Sequence, residues 1–338
     1  MVTPPGAHGT GRSPLPLRDN PGYMDRTMTQ GQAMKYWARY WFGVLRTAVQ
    51  RWLGAQVFIH AAALAFFTVF SVAPVVIIAV SIVGLVLGES AAHGEIVRQL
   101  ESAIGPEAAA AVQTAVAGSR LNDGGLLPTL MGIGAMLFGA TTVFAQMQNS
   151  LNAIWSVAPR PTRSSLLIYL KGRLLSLTVV LAIGFVLLVS LLLNVVLRAV
   201  VVFAQDWLPL PGVVLLALDG VVSLVMVTLL FATIFRVLPD VVLAWRDVWL
   251  GAFVTALLFV GGRSLIALYL STTGAASAYG AAASLVLLLL WVNYSALILL
   301  FGAAFTRANV EARGLRIQPR ATAVCVHREL VEETPPQA

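Results

Sequence analysis

From Ser264 to Thr306 the chain runs for 43 residues without one Asp, Glu, Lys, Arg or His. The small-residue patch from Ser271 to Ala278 is the only interruption. Each side of it is an apolar run long enough to cross a bilayer, because about 20 residues at a rise of roughly 1.5 Å match a hydrocarbon core of about 30 Å. The stretch predicts two spanning helices joined by a tight outer turn.

Composition extends this reading to the rest of the chain. Only 11% of residues are charged and 58% are hydrophobic, against about 25% charged in a soluble domain. Lipid must therefore solvate most of the chain, and a backbone in lipid is forced into helices or a closed barrel. The apolar runs lack period-2 alternation, so the expected fold is all-α. Six spans follow, near Ala61–Leu87, Leu126–Gln148, Leu174–Leu197, Gly212–Phe235, Val248–Leu270 and Tyr279–Phe305.

Residues 1–32 hold five prolines and no apolar period, and read as a disordered cytoplasmic tail. No signal peptide is visible, since no apolar region begins before about residue 57. Residues 33–310 form the expected membrane domain, and 311–338 a second cytoplasmic tail. Within 33–53, Met34, Trp37, Trp41, Val44, Ala48 and Trp52 recur at helical steps, with Lys35, Arg39, Arg46 and Arg51 off that stripe. A helix of this kind suits either the inner surface of an anionic membrane or the cytoplasmic ends of the bundle. The loop 88–125 predicts two short amphipathic helices split at Pro106.

Charge sets the orientation. With the N-terminus inside, 18 of the 22 Lys and Arg fall in inner segments, so both termini are expected in the cytoplasm. The same distribution explains the net charge of +7 and argues against nucleic acid, because the arginines flank helices instead of forming one interleaved stripe. The lone Cys325 excludes an internal disulfide.

No metal-ligand spacing, phosphate loop, nucleophile elbow or paired intramembrane carboxylate is present, so neither catalysis, a metal nor a cofactor is expected. Ionisable groups within spans carry more information, each being costly unless paired or wet. Asp219 and Arg263 each lie seven residues from the outer end of their spans, roughly 10 Å deep. They suit an ion pair, or a cavity-facing Arg263 that meets an anionic head group or solute. At the inner end of the second span stand Gln146, Gln148, Asn149, Asn152 and Trp155, suited to gating, binding or plain interhelical hydrogen bonding. Asn293 and Tyr294 in the sixth span have the same two readings. Ser71 and Pro74 permit a kink in the first. Small residues in the second span allow a homo-oligomer without demanding one.

Several local patterns together resemble the YihY/BrkB family of bacterial inner-membrane proteins. They are ALAFFTVFSVAP from Ala63 to Pro74, NSLNAIW from Asn149 to Trp155, LPD from Leu238 to Asp240 and WRDVWLGA from Trp245 to Ala252. Arg263 with Tyr269, then Tyr279, Gly280, Trp291, Gly302 and Ala303 complete the set. The resemblance covers about residues 40–310 and brings Tyr269 and Tyr279 into the candidate site. It implies six spans in the inner membrane, and a family linked to serum resistance and envelope lipid export under an old ribonuclease label. Where members commonly read Gly-Ala-Glu, this chain has Gly302, Ala303 and Ala304. A transporter or flippase-like protein for an anionic lipid or envelope component is the expectation; an envelope scaffold is the rival, and a membrane-bound nuclease a minor one.

Overall fold

The computed structural model describes residues 30–71, 126–160, 212–273 and 283–326, with isolated helical positions between Gly94 and Thr114. Expectations resting on Pro74, on Tyr279, on 174–197 and on most of 88–125 lie outside these residues. Six helices and two short strands are described: α1 (Gln30–Gly54), α2 (Val57–Ser71), α3 (Leu126–Trp155), β1 (Val157–Pro159), α4 (Gly212–Val237), α5 (Trp245–Thr273), α6 (Ala283–Ala312) and β2 (Ala323–Cys325). Two of these helices contain segments long and apolar enough to cross a membrane, Gly220–Val237 and Leu285–Ala312. A third span results if α1 and α2, bent by 63° at their junction, count as one.

Local chemistry sets the helix ends. α4 stops at Val237 because Pro239 disfavours helical backbone at Leu238. α5 opens with Asp247, whose Oδ2 accepts the Ala244 N–H at 3.3 Å, so an acid satisfies an orphan donor at a positive helix end. α6 closes with Gly314 at φ 74°. The Leu315 N–H reaches the Val310 carbonyl and the Gly314 N–H the Glu311 carbonyl, the paired bonds of a left-handed glycine cap.

The core is concentrated at the end of the bundle where α3 and α4 finish and α5 begins. Leu151, Ile154 and Trp155 pack there with Phe235, Leu238, Val241, Val248, Ala252, Leu300 and Ala303. α1 lies across α6: Val44 and Ala48 bury against Phe305 and Ala308, Trp41 stacks on Phe305 with centroids 6.2 Å apart, and Trp52 Nε1 donates to the Leu297 carbonyl. The tryptophan stripe read from the sequence thus packs largely on protein, because α6 offers an apolar groove at the right spacing; Met34 and Trp37, nearer the N-terminus, stay exposed.

α5 and α6 run antiparallel in close contact. A Cβ on Gly251 would meet Thr306 Oγ1 at 1.8 Å, and one on Gly302 would meet Thr255 Oγ1 at 1.7 Å. Each threonine returns its hydroxyl proton to the carbonyl four residues earlier, Thr255 to Gly251 at 2.6 Å and Thr306 to Gly302 at 2.8 Å. Small residues bring the backbones together, and the hydroxyls are satisfied without water.

Two expectations need correction. The helix expected near 126–148 is longer: α3 runs to Trp155, since its last turns are buried in the core and need no lipid to stay helical. Within the expected tail 311–338, Ala323–Cys325 forms a strand, so the fold is not purely helical. β2 pairs antiparallel with β1, Val157 opposite Cys325, and Val241 bridges Pro319. The backbone of 318–326 finds hydrogen-bond partners at Ser156 and Arg160, just after α3, and at Asp240 and Val242, just after α4.

Candidate functional site

The polar groups of the structure gather at two levels. The first is the closed end of the bundle. Here α3 presents Asn152 one turn before its terminus, and the short link after α4 presents Asp240. Both are buried. Asn152 Nδ2 donates to Asp240 Oδ2 at 2.8 Å, while the Asp240 backbone N–H donates to Asn152 Oδ1 at 2.9 Å. Gln148 Nε2 donates to the other carboxylate oxygen at 3.3 Å. One amide therefore reads both the side chain and the backbone of one acid, which joins α3 to the α4–α5 link.

Two arginines cap the helices that end here. Arg307 of α6 donates through one terminal nitrogen to the Ile154 carbonyl and to Ser156 Oγ, the latter at 2.8 Å, and through Nε to Glu311 Oε1 at 2.9 Å. Glu311 also accepts Arg51 of α1 at 2.6 Å. Arg320 donates to the carbonyls of Arg236 and Val237, both at 3.1 Å, and its own N–H donates to the Asp240 carbonyl. A cation at the negative end of a helix satisfies orphan carbonyls and opposes the macrodipole. Arg313 pairs with Asp247 at 2.8 Å. The ends of α1, α3, α4, α5 and α6 are thus fastened together.

The second level lies toward the other end of α5. Successive residues on a helix turn by about 100°, so Ala252, Ala256, Phe259 and Arg263 share one face. Ala252 and Ala256 are fully buried, and Phe259 touches both Phe231 of α4 and Trp291 of α6. Arg263 continues the same stripe yet is exposed. The neighbouring Gly262 is buried, and a Cβ there would meet Tyr294 Oη at 1.9 Å. That contact keeps the register of the Gly251–Thr306 pair and sets Arg263 level with Asn293, which is half-buried on α6.

Of the residues singled out in the sequence, Asn152 and Trp155 come together at the closed end. Asn149, three residues from Asn152, faces outward. Trp155 is 1% exposed and its indole N–H has no hydrogen-bond partner among the described residues. Arg263 and Asn293 come to one level. Asp219 and Tyr269 stand on α4 and α5, with side chains outside the described residues. Ser71 is buried at the described limit of α2, its hydroxyl on the Thr68 carbonyl at 3.3 Å. Sequence reasoning missed Arg307 and Arg320 and quoted Asp240 only as part of a pattern. The signal for Asp240 was its place directly after a helix-ending proline; nothing local marked the arginines, which cap helices distant in sequence.

Comparison with known proteins bears on the same residues. The family model described as virulence factor BrkB matches residues 48–324. A UPF0761 membrane protein of Mannheimia succiniciproducens is 32% identical over 178 residues, 52% of this chain and 58% of the relative. One from Alteromonas mediterranea is 30% identical over 185 residues, covering 54% and 59%, and one from Pseudomonas paraeruginosa is 27% identical over 246 residues, covering 72% and 57%. The chain spans less than two thirds of the length of each of these relatives. No solved structure matches.

Proposed function

This chain belongs to the BrkB virulence-factor family and is an integral membrane protein, and from that premise we propose that it moves an anionic lipid or envelope component across the bacterial inner membrane. The membrane domain is read as six spans with both termini in the cytoplasm, on the strength of the 18 of 22 basic residues that this topology puts inside. In that orientation the closed end is cytoplasmic and Arg263 lies in the outer half of the bilayer.

The observation that carries the reading is the change along one face of α5. Its stripe is sealed at Ala252 and Ala256 and opens at Arg263. An arginine in lipid is costly unless it meets an anion, water or a carboxylate, and an exposed one level with Asn293 can receive a phosphate or carboxylate head group through a planar fork of donors. Asp219 of α4 serves as the counter-charge that a substrate displaces.

The test is movement of fluorescent phosphatidylglycerol between leaflets of vesicles containing the purified protein. Wild type is expected to accelerate it, Arg263→Gln to slow it at least tenfold with the melting temperature kept, and Arg263→Lys to retain part of the rate. An unchanged rate in Arg263→Gln, or a wild type no faster than protein-free vesicles, overturns the proposal. The second reading, a non-transporting envelope scaffold, is favoured by the fastening of the closed end, which a transporter must be able to release.

A further inference from the structure

The face of α1 turned away from α6 has no partner among the described residues, and its chemistry is specific. α1 contains four basic residues and no acid. Arg51 is taken by Glu311. Lys35, Arg39 and Arg46 are exposed, and none has an ion-pair partner among the described residues. Spacings of four and seven residues put the three on one line along the helix, about 6 and 10 Å apart. Phe42 and Leu53 are exposed within the same row and Val49 and Leu45 beside it, so the face turned away from Val44 and Ala48 is both basic and apolar.

The helix is also oriented for a surface. It is bent 63° from α2, so with α2 entering the bilayer α1 lies closer to the membrane plane than to its normal. With this face on the membrane, the short apolar side chains sink into the acyl layer while the long basic ones reach back up to the head groups. We infer that α1 is a docking surface for anionic phospholipid, with Lys35, Arg39 and Arg46 on phosphodiester head groups and Phe42, Leu45, Val49 and Leu53 sunk beneath them. The tight packing of Trp41, Val44 and Ala48 on α6 transmits the position of α1 to the bundle, and the inference does not depend on transport.

The test uses full-length protein in nanodiscs of phosphatidylcholine with a minority of phosphatidylglycerol, reading the preference for the anionic lipid by spin-label association or by lipids retained in native mass spectra. Wild type is expected to prefer phosphatidylglycerol. The variant K35Q/R39Q/R46Q should lose this preference by roughly fivefold per cation removed, while Arg51→Gln, whose charge is already paired, should keep it. A triple variant with wild-type preference, or an equal loss in Arg51→Gln, overturns the inference. If the triple variant does not fold, the wild-type preference is read against salt. Collapse at high salt is expected, since exposed cations are screened, and a preference indifferent to salt overturns it.

Discussion

Thr306 occupies the space that Gly251 leaves free, its Oγ1 1.8 Å from where a Cβ on that glycine would stand, and Thr255 does the same for Gly302 at 1.7 Å. The two contacts exchange partners across an antiparallel pair, so each helix supplies one hole and one knob. An added methyl would strike a threonine side chain in each case, so the threonine must turn away from its carbonyl or the helices must separate.

Gly251→Ala and Gly302→Ala should each destabilise the protein by about 1–3 kcal/mol, the usual cost of overpacking. Thermal unfolding in detergent measures this. Adding Thr306→Ala to Gly251→Ala should recover part of the loss, because it empties the contested space. Absence of any recovery would contradict the described register.

Asn152 and Asp240 act as a unit. Either one replaced by alanine leaves a buried polar partner unsatisfied, at about 1–3 kcal/mol. The double variant should cost less than the sum, with a coupling of about 0.5–3 kcal/mol. Additive losses in chemical unfolding would show that the two do not hold each other.

Arg307→Lys keeps a positive charge near Glu311 but cannot serve the Ile154 carbonyl, Ser156 and Glu311 with one planar group. Amide exchange over residues 151–157 should quicken in this variant, while α4 stays protected. Unchanged exchange there would remove the capping role.

Truncation after Ala312 deletes β2 and Arg320 together. The carbonyls of Arg236 and Val237 lose their donor, and β1 loses its only strand partner among the described residues. Exchange should rise at the end of α4 and over 156–160 and change little in the middle of α6. Arg320→Ala alone should reproduce the effect at α4 but not at β1.

Asp219→Asn separates the two readings of the membrane-embedded charges. If Asp219 and Arg263 chiefly lock helices, the substitution lowers detergent stability and exchanging the two charges restores it. If Arg263 serves a substrate, the exchange variant stays inactive in vesicles whatever its melting temperature.

Much of the architecture was legible in the residues because membrane solvation is a local demand. An uncharged run such as 264–306 has to form helices wherever its neighbours lie, since lipid offers no hydrogen bonds to the backbone. For the same reason α4, α5 and α6 appear near their expected positions, with ends displaced by a few residues where capping or core packing overrides hydropathy. Hydropathy did not mark the extension of α3 to Trp155 because Gln148, Asn149 and Asn152 end the apolar run; burial of Leu151, Ile154 and Trp155 against α4 and α5 holds those turns in place.

By itself the sequence determined that this chain is a helical membrane protein, which family it resembles, and that Arg263 is the one charged residue between Asp247 and Arg307. These follow from composition, spacing and solvation, properties that each segment carries independently. The tertiary structure alone decided that Arg307 and Arg320 cap helices far from them in the chain, that residues 313–326 fasten the closed end, and that Val44 and Ala48 face α6 while Phe42 and Leu45 do not. Those outcomes depend on which surfaces meet. Hydrogen-bond geometry and close packing select a partner only once distant segments have been brought within a few ångströms.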